Sequence, residues 1–102
     1  MTYLIIGENG VAKEARIQAL KQQLLSSAES RHFDYEVFSG AKIDPQSLQQ
    51  ALLALPAAGA RRVILLRDVH LLNDRCRDIV AAAVQSGGEN RVLILEAEEL
   101  DR

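Results

Sequence analysis

Residues 3–14 read Tyr3-Leu4-Ile5-Ile6-Gly7-Glu8-Asn9-Gly10-Val11-Ala12-Lys13-Glu14: an apolar run, a glycine-bearing turn and the start of a helical pattern. This is the strand-loop-helix setting of a phosphate-binding loop, whose motif is Gly, any four residues, then Gly-Lys-[Ser/Thr]. Gly7 and Lys13 keep the register, and Gly10 adds a second flexible position. Ala12 stands where the second Gly belongs, and Glu14 stands where a hydroxyl would hold magnesium. A carboxylate there faces the anionic phosphates. The stretch is built like a nucleotide hydrolase and lacks the groups that hydrolysis needs. A plain turn between strand and helix, with Lys13 solvated, explains the same glycines.

Outward from this loop the pattern alternates. Tyr3 to Ile6 is a short continuous apolar run, expected to be a strand buried on both faces. A helix is expected from about Ala12 to Ser27, with Ile17, Leu20, Leu24 and Ala28 on one stripe. Phe33 to Phe38 alternates polar and apolar residues like a half-exposed edge strand. Asp44-Pro45 is a helix start, with Asp as cap and Pro in the first turn. Leu48, Ala51, Leu52 and Leu55 then form a stripe ending at Pro56. Val63-Ile64-Leu65-Leu66 reads as a second buried strand. Asn73 or Asp74 caps a helix carrying Cys76, Ile79, Val80, Ala83 and Val84, which Gly87-Gly88 ends. Val92-Leu93-Ile94-Leu95 is the last strand. The order β-α-β-α-β-α-β predicts an α/β fold: a parallel sheet of about four strands with helices on both faces.

A chain of 102 residues forms one domain, 1–102, able to hide roughly 65% of its unfolded surface. Its hydrophobic content of 48% and charged content of 25% are ordinary for a globular protein,. A net charge of −2 gives no general attraction to nucleic acid or anionic membrane,. One cysteine, Cys76, excludes an internal disulfide and fits a reducing cytoplasm,. No apolar run approaches membrane-spanning length. The stop soon after the fourth strand reads as a piece of a longer protein.

Hydrolysis also needs an acidic pair after the third strand, to hold metal and activate water. Val63 to Leu66 is followed instead by Arg67-Asp68, so the first acidic position carries a positive charge. His32 and His70 lack partners at ligand spacing, so no metal is expected. Cys76 lies on an apolar stripe and belongs to the core. The segment Leu55-Pro56-Ala57-Ala58-Gly59-Ala60-Arg61-Arg62 reads either as ordinary loop chemistry or as a protruding loop, flanked by Arg61 and Arg62, that docks on a partner.

The order of these pieces resembles the N-terminal AAA+ domain of the delta subunit of bacterial DNA polymerase III, part of the sliding-clamp loader. The matching stretches are Tyr3 to Asn9, Tyr35 to Gly40, Leu53 to Pro56, Gly59 to Asp68 and Val92 to Asp101. The resemblance implies a P-loop NTPase (AAA+)-like three-layer fold cut after its fourth strand, without the lid and collar domains. It implies no ATPase activity and no cofactor: Gly7, Gly10, Ala12 and Lys13 would be a relic phosphate loop, and Arg67 and Asp68 a relic acidic motif. Delta subunits of this family bind the clamp through an apolar pair at the tip of the second helix. By position, Leu55, Pro56, Ala57 and Ala58 form that tip, with Ala57-Ala58 as the pair. The family usually has bulky residues there, and two Ala bury little area. The implied partners are the sliding clamp and other clamp-loader subunits, with DNA reached only through the assembled complex. Three readings follow: a non-catalytic clamp-loader domain, a degenerate nucleotide- or phosphate-binding module using Lys13 and Asp68, or an α/β scaffold of another kind. An exposed sheet edge also predicts self-association.

Overall fold

A computed structural model describes residues 1–88 and 90–98. The element order is β1 (Thr2–Ile6), α1 (Gly10–Leu24), α2 (Ala28–Phe33), β2 (Tyr35–Ser39), α3 (Pro45–Leu53), β3 (Arg62–Arg67), a short 3-10 turn (Val69–Leu71), α4 (Asp74–Ser86) and β4 (Arg91–Ala97). The four strands form one parallel sheet in the order β1-β4-β3-β2. Alternate residues of each strand point to opposite faces, and both faces are covered. On one side Ile17, Leu20, Leu24 and Leu25 pack on Val63, Leu65, Val92 and Ile94. On the other, Leu48, Ala51 and Leu52 from α3 and Cys76, Val80 and Ala83 from α4 pack on Ile64, Leu66 and Leu93. The predicted three-layer α/β architecture is the observed one. The closing stretch Glu99 to Asp101, used in the resemblance, lies outside the described residues.

Several elements differ from their sequence reading, each for a local reason. Helix α1 begins at Gly10 because the Asn9 side chain accepts the Ala12 N–H at 3.0 Å, an ordinary N-cap,. It stops at Leu24 because Ser27 starts a separate helix. The Ser27 and Ser30 side chains cap each other's backbone N–H groups, so Ala28 to Phe33 is α2, not strand or tail,. Two cap positions were read correctly: Asp44 accepts from Ser47, and Asn73 accepts from Cys76.

The largest revision concerns β1. Expected to be buried on both faces, it lies at the edge of the sheet, with Leu4 54% and Ile6 45% exposed. A continuous apolar run marks a strand but does not say which neighbours it has. Leu55 continues the apolar spacing of α3, yet α3 ends at Leu53 and Leu55 is exposed.

Candidate functional site

Parallel strands end together, and in such sheets ligands bind beyond the strand C-termini. There the structure gathers the suspected phosphate loop and acidic motif. Only Gly7, Glu8 and Asn9 separate β1 from α1. The Lys13 N–H bonds to the Asn9 carbonyl at 3.1 Å and the Ala12 N–H to its side chain. Ala12 and Lys13 therefore spend their backbone donors on the helix and its cap, and the stretch does not wrap around an empty anion site.

The side chains are engaged as well. The Lys13 ammonium donates to Glu96 at 2.6 Å and to the Ala97 carbonyl at 3.4 Å. The other Glu96 oxygen accepts the Asp68 N–H at 3.0 Å. Arg67 grips Glu14 with two bonds of 2.5 and 2.9 Å, the fork geometry that makes such pairs strong. Burial alone would raise the Glu96 carboxyl, but Lys13, the Asp68 N–H and Arg67 together hold it below the ordinary range. The Arg67 hydrogen bond does the same for Glu14 against a small desolvation, helped by the charges of Arg67 and Lys13. Lys13, Glu14, Arg67 and Glu96 line one shallow depression with Gly10 and Val11. Two cations and two anions there sum to zero.

Asp68 shows a further constraint. It takes the left-handed conformation, φ 55° and ψ 49°, as the first residue beyond β3, which is uncommon outside glycine. That turn aims its N–H at Glu96. Gly40 passes so close that a Cβ there would lie 2.2 Å from the Asp68 carbonyl oxygen.

The suspected docking loop lies at the opposite end, before β3. Its shape is set by Asp34, which is 0% exposed. The Asp34 carboxylate accepts the N–H groups of Ala57 at 2.5 Å, Ala58 at 3.0 Å and Gly59 at 2.7 Å, a nest of successive donors around one anion. Burial pushes this carboxyl up; the three N–H groups and nearby Arg62 more than offset it, leaving it below its usual range. Arg62 does not flank a docking surface as expected. It is buried, donating to the Ala51 carbonyl and pairing with Glu36, while Arg61 stays exposed. Arg91 caps two helices, donating to Leu52 at 2.8 Å and to Ala83 at 2.9 Å. With their backbones turned toward Asp34, Ala57 and Ala58 offer only methyl groups outward. The large apolar side chains at this tip are Leu53 and Leu55, 74% and 79% exposed, beside Pro56 in a shallow groove that also includes Gly87, Gly88 and Arg91.

Two solved structures share this architecture. The Bacillus subtilis DNA clamp loader delta protein has a TM-score of 0.78 at 18% identity, over 99% of this chain and 32% of its own. A Thermotoga maritima protein related to the gamma subunit of DNA polymerase III has a TM-score of 0.78 at 17% identity, over 96% of this chain and 34% of its own. The fold is that of clamp-loader proteins. The chain spans about a third of the length of either structure. No protein family and no curated protein matches its sequence.

Sequence reasoning brought Gly7, Lys13, Glu14, Arg67 and Asp68 to one end, and the structure places them there. It missed Glu96, Asp34 and Leu53. Glu96 carried a signal: a carboxylate directly after the apolar run Val92 to Leu95, at the strand end where Lys13 arrives. Asp34 carried none, because one acidic residue in an alternating stretch looks solvated. Of the remaining candidates, His32 packs edge-on against Phe33 with ring centres 4.6 Å apart, His70 lines a groove beside α4, and Cys76 is buried. Among the described residues no group of three metal-binding side chains occurs, and no helix is long and apolar enough to cross a membrane.

Proposed function

We propose that this chain is a non-catalytic, delta-type clamp-loader domain that docks on a sliding clamp through the tip following α3. It acts beside other loader subunits, and DNA is met only by the assembled complex. One observation carries the docking role: Leu53 and Leu55 stand out into solvent on a tip whose following loop is pinned by three hydrogen bonds to Asp34. Exposed leucines on a loose loop lose ordering entropy on binding; here part of that cost is already met in folding. Leu53 joins Leu55 and Pro56 as the contact, with Ala57 and Ala58 at its rim rather than at its centre.

The neutral quartet at the other end supports the non-catalytic part. A nucleotide triphosphate would have to displace Glu96 from Lys13 and Glu14 from Arg67, and would find no hydroxyl at position 14 for magnesium. Calorimetry with ATP and magnesium should therefore give only heat of dilution; heat that disappears in Lys13→Ala would instead support a nucleotide-binding module.

Surface plasmon resonance against the sliding clamp of the same organism tests the docking role. Full burial of a Leu side chain is worth about 1.5–3 kcal/mol, so Leu53→Ala with Leu55→Ala should weaken binding about 100-fold. Both side chains are exposed, so the unfolding midpoint should stay within about 0.5 kcal/mol of wild type. Equal binding by the double variant, or none by the wild type, would remove the reading.

A further inference from the structure

The outer edge of β1 is open and unguarded. Its inner edge pairs with β4 over five consecutive residues without a bulge, from Thr2 with Leu93 to Ile6 with Ala97, and no strand covers the other edge among the described residues. Natural sheet edges are normally blunted by charge, proline or a bulge. Thr2-Tyr3-Leu4-Ile5-Ile6 has none of these. The opposite edge strand, β2, carries Glu36 paired with Arg62.

The apolar surface continues beyond the edge. Leu4 stands in register with Leu95 and faces the α4 side of the sheet. Leu95 forms one wall of a groove of about 550 Å³ with Val69, Leu72, Val80 and Val84. Leu4, Ile6 and Val84 are all exposed. Helix α4 thus covers β3 and β4 and leaves the β1 side of the sheet uncovered.

We propose that a second copy of this chain covers it, by antiparallel pairing of β1 with β1 about a two-fold axis at Leu4. The strand is self-complementary in that register. Thr2 meets the partner's Ile6, Tyr3 meets the partner's Ile5 and Leu4 meets the partner's Leu4, so every cross-strand pair is uncharged. The same pairing of β2 about Val37 would set two Glu36 carboxylates diagonally, about 7–8 Å apart. The result is a continuous eight-stranded sheet with an isologous interface, in which Leu4 and Ile6 of both copies close over the two grooves. A five-residue strand spans only about 17 Å. Pairing of backbone alone falls short of the roughly 800 Å² per partner of a standard interface, so the dimer is a weak one, with Kd on the order of 100 μM or below.

Sedimentation equilibrium of the untagged protein tests this. The mass should rise with concentration from 11.2 kDa toward twice that value. Leu4→Lys, at an already exposed position, should weaken association at least ten-fold without changing the circular dichroism. Leu4→Cys should give a disulfide-linked dimer under mild oxidation, since the native Cys76 is buried. A wild-type monomer throughout the range, unchanged association in Leu4→Lys, or a dimer broken by Val37→Lys instead would each overturn the proposal.

Discussion

Replacing Asp34 by Asn tests whether one carboxylate shapes the docking tip. The change is nearly isosteric, so packing under the loop stays intact and the effect isolates charge and hydrogen bonding. One Asp34 oxygen accepts from Ala57 and the other from Ala58 and Gly59. An amide keeps only one accepting oxygen. If that oxygen serves Ala58 and Gly59, the amide NH₂ is driven against the Ala57 N–H. Hydrogen bonds to a charged acceptor contribute about 1.5–3 kcal/mol each. One is lost outright and two become neutral, but Ala57 and Ala58 are exposed and can take water. The discounted loss is about 2–3 kcal/mol, a sizeable share of the 5–15 kcal/mol typical of a domain, and about 10–20 °C in Tm for a chain of this size. Urea and thermal unfolding followed by circular dichroism read it directly. The pH dependence gives a second check. The Asp34 pKa is lowered on folding, so its contribution is complete above the unfolded carboxyl value of about 3.9 and is lost as pH falls through the lower folded value. The gap between wild type and Asp34→Asn should therefore be widest near neutrality and close below about pH 4. A variant within about 0.5 kcal/mol of wild type at pH 7, or a gap independent of pH, would refute the reasoning.

At the other end, Arg67→Glu should be worse than removal of a partly exposed ion pair, because it places three carboxylates, at positions 14, 67 and 96, around Lys13. The double swap Glu14→Arg with Arg67→Glu should recover most of the loss, with a coupling of about 0.5–1 kcal/mol in a double-mutant cycle, shrinking as salt is added. Both members of the pair are about a third or more exposed, so a coupling of several kcal/mol would contradict this account. Gly40→Ala should cost at least about 2 kcal/mol by denaturant unfolding, since the new methyl would meet the backbone carbonyl of Asp68 rather than a movable side chain.

The architecture was legible because it rests on period and punctuation. Four apolar runs separated by capped helical stripes predict a parallel α/β sheet whatever the exact boundaries, and Asp44, Asn73 and Gly87 mark their helix ends by local chemistry alone. Strand order was not legible. The central β3 and the edge β1 both read as plain apolar runs, because sequence records what a strand is made of and not what lies beside it. Helix α2 was missed because Ser30, rather than the usual Glu or Gln, completes its capping box. At the tip, an apolar spacing continuing through Leu55 hid the point where α3 stops. The roles of Asp34 and Glu96 depend on residues 23 to 83 positions away, and no local pattern announces such partners.

Read from sequence, Glu14 and Arg67 look like two separate defects, one in each half of a lost nucleotide site. Their bidentate contact makes them one feature. Arg67 without Glu14 would leave a second cation near Lys13, and Glu14 without Arg67 would leave an unpaired carboxylate near Glu96. Either single change is costly, and together they cancel. The pair also ties α1 to the end of β3, while Lys13 ties α1 to β4 through Glu96. These contacts join the elements that a bound nucleotide would bridge between loop and strand ends, so the sheet end is held closed by side chains alone. A domain whose frame is fixed in this way has no nucleotide-dependent motion to transmit. It can present a constant tip, and the rigid Asp34-held loop at the opposite end is the surface such a frame would serve.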